Sequence, residues 1–404
     1  MNTFVFENGI RVVHQQTSSP VAYCGLAMNV GTRDESLTES GMAHFVEHML
    51  FKGTKRRRAH HVLNRMEVVG GELNAYTTKE ETFVYSVSLS EYIERALDLI
   101  ADVVFSSTFP QHEIEKEISV VLDEIQSYKD SPYELIFDEF EEQFFSKFSL
   151  GRSILGEPKL LKKYTSQDLF RFVNNNYHTD QMVLFCLGNI SWDRFLRLAE
   201  RYFAIQQAKK RTFVRQKAEI NMSSHIEKKR HTHQAHFLLG AEAPSMLDND
   251  RMSFYLLNNI LGGPGMNSML NLALRERSGL AYNVESNYTL YSDSAVASIY
   301  VGTDLEHLEK CKKIILQTID KLQQKLFSPT ILNRYKQQIL GQMAIAAENK
   351  ENVILNAAKS FLHFHSLQKP EETKSQILEI TPLELQDLSQ KVFAREKISS
   401  LLYK

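Results

Sequence analysis

His44, Glu47 and His48 are the residues of this chain whose types and spacing most directly suggest chemistry. Two histidines four positions apart lie one turn apart on one face of an α-helix, so both can offer an imidazole nitrogen to a single ion. Glu47 falls on nearly the same side, where a carboxylate can reach a water at the metal and act as a general base. The pattern HxxEH is an inverted zinc motif. Read blandly, it is a helix with two half-buried histidines and an unrelated glutamate.

A catalytic zinc needs a third protein ligand and an open position for water. Residues 112–128 have helical periodicity and carry Glu113, Glu115, Glu117, Asp123 and Glu124. Glu117 and Glu124 are two turns apart on one face, so one can ligate and the other can orient a ligand histidine. Asp123 points about 100° away from Glu124 and is no substitute for it. A solvated acidic face accounts for the same pattern.

Other elements must position these groups. Asn8-Gly9 is a hairpin signal between strands at 3–7 and 10–15, and a further strand spans about 21–30. The motif sits in a helix over about 41–51 with Ser40 as its cap. A second helix over 61–69 ends at Gly70-Gly71, and two strands follow around 77–80. In the second of these, Phe83, Tyr85, Val87 and Leu89 share a face. Helices over 91–105 and 112–128, a shorter one over 167–176, a buried strand at 182–187 and a helix over 192–203 complete a first half. Residues 206–217 are polar and basic, without helix caps, and read as a linker. The order then recurs: strands at 226–240, a helix at 250–261, a Gly-rich loop, a helix from 267, strands at 284–301 and helices over 305–325 and 329–349. This places a zinc-binding domain at 1–210 and a related domain without HxxEH at 211–404. His231, His233 and His236 cluster in the second, where a strand with exposed histidines is a better reading than a second metal site.

Composition bounds the alternatives. A chain of 404 residues, 43% hydrophobic and 24% charged, can bury sizeable cores without disulfides. A formal net charge of −2 argues against nucleic acid as a partner. Three scattered cysteines without a CxxC suggest neither a disulfide scaffold nor a cysteine metal site. With no signal-peptide pattern and no apolar run of membrane-spanning length, the expectation is a cytoplasmic protein that does not enter a membrane.

The segment Gly41-Met42-Ala43-His44-Phe45-Val46-Glu47-His48-Met49-Leu50-Phe51-Lys52-Gly53-Thr54 resembles the active-site helix of the pitrilysin family, which includes insulin-degrading enzyme, the mitochondrial processing peptidase and bacterial processing-type peptidases. In that family the third ligand is a glutamate downstream at about the spacing that separates Glu124 from His48. The resemblance therefore implies Glu124 as ligand and Glu117 as the carboxylate behind a ligand histidine. Many relatives carry Glu where this chain has Asp123, without consequence for the ligand set. Gly70-Gly71-Glu72-Leu73-Asn74-Ala75-Tyr76-Thr77 resembles the family's edge strand, implying that Asn74, Ala75 and Tyr76 bind an extended substrate by β-augmentation. Leu261-Gly262-Gly263-Pro264-Gly265-Met266-Asn267 is a flexible loop without phosphate-binding spacing. Beyond it, Arg275 and Tyr282 have the spacing of a family pair that completes the active site, Tyr282 donating to the oxyanion and Arg275 holding substrate backbone or the tyrosine.

The family implies an α+β fold of two homologous domains, each a mostly antiparallel sheet with helices packed on one face, arranged as a clamshell. It implies one Zn2+ per chain, held by His44, His48 and Glu124, with Glu47 taking the proton of the attacking water. The substrate is then a peptide or unfolded protein segment, and the chain a homodimer or the partner of a sibling subunit. Two rivals remain: a non-catalytic partner subunit of a heterodimeric peptidase, and a zinc site that serves folding only.

Overall fold

The computed structural model describes residues 1–404 apart from Glu219, Asn221, Met222 and His231. The chain forms two compact units, and neither is one stretch of sequence. The first contains residues 1–127, 152–215 and 346–368; the second contains 128–151, 216–345 and 369–404.

The first unit is built on six strands: β1 (Asn2–Val5), β2 (Arg11–Gln16), β3 (Val21–Met28), β4 (Glu72–Thr77), β5 (Thr82–Leu89) and β6 (Met182–Gly188), in the order β1-β2-β6-β3-β5-β4. All neighbours are antiparallel except β2 and β6. The β1–β2 hairpin turns at Asn8-Gly9, as its sequence predicts. On one face, Leu26, Leu184 and Cys186 pack with four helices: α1 (Met42–Leu50), α2 (Ala59–Glu67), α3 (Ile93–Ser106) and α4 (Gln111–Lys129). The other face is covered as well. Val183, Phe185 and Leu187 pack against Ile354, Ala358 and Phe361 of helix Lys350–Phe364. Two covered faces explain why residues 182–187 are apolar without alternation. Each fully buried Leu, Val or Phe contributes about 1.5–3 kcal/mol of transfer free energy.

Among its described residues the second unit has five strands: β7 (His225–Lys228), β8 (Ala235–Glu242), β9 (Ala281–Leu290), β10 (Ala295–Thr303) and β11 (Ser399–Tyr403), in the order β7-β11-β8-β10-β9. Helices Arg251–Gly262, Leu308–Gln324 and Pro382–Val392 fill one face around Leu257, Ile315 and Leu388. The opposite face is closed by α5 (Pro132–Phe144), whose Ile136, Phe140 and Phe144 meet Leu238, Leu401 and Tyr403. Each sheet therefore receives one covering helix from the other half of the sequence, which periodicity along the chain does not reveal. Among the described residues no helix is long and apolar enough to cross a membrane.

Two local expectations are corrected. The polar stretch 206–217 is not a bare linker: Arg211 and Arg215 bury their guanidinium groups against Asp34, at 2.6 and 2.7 Å. His236 is not exposed; it lies buried in β8 with Nδ1 2.8 Å from the Tyr300 hydroxyl, because α5 covers that face. His231, of the same cluster, lies outside the described residues.

Helix Lys350–Phe364 is also fastened electrostatically. The buried Glu81 carboxylate meets His363 Nε2 at 2.6 Å and Lys359 Nζ at 3.0 Å. Burial alone would raise its pKa, but the His363 hydrogen bond and the Lys359 charge outweigh it and bring it down to about 2. A carboxyl depressed in the folded state stabilises above its unfolded pKa of about 4.3, and that contribution is lost as pH falls toward the folded value. Acid titration followed by circular dichroism should therefore show the native chain losing stability through this window, on the order of 3 kcal/mol from this group. Glu81→Gln should flatten that part of the curve; an unchanged slope would show that the pair contributes nothing.

Candidate metal centre

The motif helix α1 is only nine residues long and begins without a side-chain cap of its own. Ser40, the expected cap, is not at the N-cap position. Gly41 is, in the left-handed region at φ 84°, and the Ser40 carbonyl accepts from the Tyr164 hydroxyl instead. Any side chain at Gly41 would also meet the backbone of Gly156 at 2.7 Å. The capping acceptor is Glu35, whose carboxylate takes the amides of Gly41 and Ala43, each at 2.9 Å.

His44 and His48 lie one turn apart with ring centroids 4.5 Å apart. Glu124 of α4 approaches both: its Oε2 is 3.8 Å from His44 Nε2 and 3.7 Å from His48 Nε2. One ligand atom from each of the three falls within 4.8 Å of the others. A tetrahedral zinc with bonds of about 2.0–2.1 Å would want its ligand atoms roughly 3.3 Å apart, so a small inward movement suffices. Glu117, seven residues before Glu124, lies behind His48, with Oε1 2.8 Å from Nδ1. A carboxylate there keeps the proton on Nδ1 and leaves the Nε2 lone pair toward Glu124. The other Glu117 oxygen takes Lys52 Nζ at 2.5 Å.

Electrostatics suit this donor set. Burial, with the neighbouring His48, holds His44 down to about 4, so its ring is neutral at ordinary pH. Burial also pulls on His48, but the Glu117 hydrogen bond and the charges of Glu47 and Glu124 outweigh it and raise its pKa. Burial raises Glu47, offset in part by the Thr77 hydroxyl and by His48. Glu47 Oε2 and His44 Nδ1 are buried without a hydrogen-bond partner among the described residues. Two imidazoles and a carboxylate converge here with one unsatisfied carboxylate oxygen close by, which fits a zinc ion and a water.

Lys52, Thr77 and Glu35 are parts of this site that motif reading missed. Lys52 had a signal, being one turn beyond His48. Thr77 and Glu35 had none, since their contacts are made by folding.

β4 carries Asn74, Ala75 and Tyr76 and is an edge strand: among the described residues it pairs with β5 alone. It packs beside α1. Tyr76 stacks on Phe83 at 4.9 Å between centroids, so its ring belongs to the sheet face under helix Lys350–Phe364. The Asn74 amide donates to Glu72 Oε2 at 3.3 Å.

Arg275 and Tyr282 belong to the second unit. Arg275 is half exposed, with Nε 3.6 Å from Glu276 Oε1. It lines a cavity of about 270 Å³ together with Gly262, Gly263, Met266, Asn283 and Glu285. Tyr282 lies in the edge strand β9, exposed, and its hydroxyl donates to Asp304 Oδ2 at 3.2 Å, which raises its pKa. The residues before it are helical, as expected from about 267, and Asn271–Glu276 take the wider π-helical form.

Residues 11–158 match the family model described as insulinase, peptidase family M16. Residues 163–339 match the one described as the M16 inactive domain. A Bacillus subtilis protein described as an uncharacterized zinc protease, YmxG, is 30% identical over 99% of this chain and 97% of its own length. A Rickettsia felis protein described as an uncharacterized zinc protease is 33% identical over 93% and 91%. The chain belongs to peptidase family M16. The M16 fold extends over the whole of it. A protease from Helicobacter pylori matches with a TM-score of 0.91 at 20% identity, covering 100% of this chain and 99% of that one. A structure from Pseudomonas fluorescens, described as a peptidase M16 inactive domain, matches with 0.91 at 19% identity, covering 100% and 97%. At such identities the likeness carries the fold. Within this M16 chain, HxxEH lies in the insulinase match, and the stretch matched to the inactive domain has no such motif.

If Glu117 fixes the His48 tautomer, Glu117→Gln should keep the fold and bind zinc about 10–100-fold more weakly. Chelator competition measures this; native affinity in the variant would remove Glu117 from the site.

Proposed function

We propose that this chain is a zinc-dependent endopeptidase that cleaves extended peptides. The observation that carries the reading is the convergence of His44, His48 and Glu124 beside the unpartnered Glu47 Oε2. Zinc, when bound by those three residues, supplies Lewis acidity that acidifies water and polarises a peptide carbonyl.

The chain's own residues do the rest. Glu47 Oε2, free of other bonds and raised by burial, receives the proton of the attacking water and returns it to the departing amine. Glu117 holds the His48 ring and Lys52 holds Glu117. The open side of β4 offers backbone groups to an extended peptide alongside α1, which favours peptide substrates over compact ones. Tyr282 and Arg275 enter the proposal on the sequence resemblance, as oxyanion donor and backbone clamp. Pairing with a second copy or with a sibling subunit is part of the same proposal and rests on the resemblance alone.

The test is bound zinc and peptide cleavage for the native chain and for Glu47→Gln. The variant should keep zinc and lose cleavage by about 10²–10⁴-fold. Equal activity in both would sink the mechanism. A zinc-loaded native chain that cleaves no peptide favours the non-catalytic subunit reading. Tyr282→Phe should retain zinc and lower kcat about 100-fold or more; a change in KM alone would assign Tyr282 to ground-state binding.

A further inference from the structure

Glu35 lies outside the HxxEH helix, six residues before its N-cap Gly41, yet it is the group that caps the start of the helix. Its carboxylate is buried, 4% exposed, and takes two amides of the first turn: Gly41 on Oε2 and Ala43 on Oε1, both at 2.9 Å. Between them, the Met42 amide bonds the Glu39 carbonyl at 2.9 Å. Ala43 immediately precedes the first histidine. A helix of nine residues has little internal stiffness, so the position of its first turn decides where His44 and His48 present their rings.

Glu35 is itself anchored on three sides. Arg152 donates to the Glu35 and Ser36 carbonyls at 2.6 and 3.1 Å. Asp34, its neighbour, is held by Arg211 and Arg215 and accepts the Gly31 amide at 3.0 Å. The Thr32 and Arg33 amides bond the carbonyls of Thr78 and Lys79, and the Arg33 side chain meets Glu80 at 2.6 Å. Those last partners form the turn that follows β4. The loop at 31–35 thus ties the start of the metal helix to the end of the candidate substrate strand.

We propose that Glu35 is a positioning residue for the metal centre, clamping the first turn of α1 through two amides so that its histidines meet Glu124. The proposal rests on the zinc-site reading above. Burial pushes the Glu35 carboxyl well above its ordinary range, against the two amides and the Arg152 charge that favour the anion. Placing a carboxyl there is unfavourable apart from the bonds it makes.

The test compares the native chain with Glu35→Gln, which keeps the shape but turns an NH2 group toward one of the two amides. Three readouts are taken: zinc affinity by chelator competition, the visible absorption of the Co2+-loaded protein, and kcat against KM. Expected are a zinc affinity about 10–100-fold weaker, an altered Co2+ spectrum, and a fall in kcat with KM little changed. Phe195→Leu, in the same core but not in this loop, serves as the stability control. It should lower Tm and leave affinity and spectrum native. Glu35→Gln with lowered Tm but native affinity and spectrum would overturn the proposal, leaving Glu35 an ordinary cap. Should Glu35→Gln not fold, Arg152→Ala decides: a weaker effect in the same direction supports the clamp, and native affinity and spectrum overturn it. A native chain that binds zinc but cleaves nothing refutes the peptidase reading alone, because affinity and spectrum still read the clamp. A native chain that binds neither zinc nor Co2+ overturns both.

Discussion

Two imidazole nitrogens must be kept bare and close together, and much of the first unit can be understood from that constraint. A histidine in water shares its nitrogens with solvent and titrates near neutrality. Here His44 is buried and held neutral, while His48 has its far nitrogen fixed by Glu117. Both near nitrogens then lie within 4 Å of one Glu124 oxygen. This needs the side chains of α1 and α4 to meet at one place, which in turn needs a rigid support under both.

The support is a sheet packed on both faces. Its central strands bury side chains in alternation into two separate cores, so neither face depends on solvent for its stability. Against this the unit carries groups that burial disfavours: Glu35, Glu47 and His44, each shifted toward its neutral form. Glu81 is the contrasting case. It is equally buried but has a histidine and a lysine at its oxygens, and it stays an anion. Charge partners keep Glu81 ionised where it fastens a covering helix and Glu117 where it holds His48, while Glu47 Oε2 is without a partner among the described residues and is placed to take a proton.

The exchange of covering helices gives the chain its organisation. Lys350–Phe364 closes the first sheet and Pro132–Phe144 closes the second, each arriving from the other half of the sequence. Compactness here follows packing and not chain order. A fragment cut near residue 210 would leave both sheets with one apolar face uncovered.

Sequence alone determined the local chemistry. The spacing of His44, Glu47 and His48 implies one helix face, because helical geometry depends only on nearby residues. Glu117 and Glu124 share a face for the same reason, although spacing could not say which one ligates. The hairpin at Asn8-Gly9 and the apolar run at 182–187 were equally legible, being backbone and burial preferences of short segments. Tertiary structure decided what meets across the chain. It put Glu35, with no local signal, under the first turn of α1, and took the capping role from Ser40. It brought Cys24 into register opposite Cys186, two buried free thiols far apart in sequence. It buried Arg211 and Arg215 of an apparent linker against Asp34, and covered His236 with a helix. Such contacts arise from a global balance of burial and charge, and no periodicity within a single segment records them.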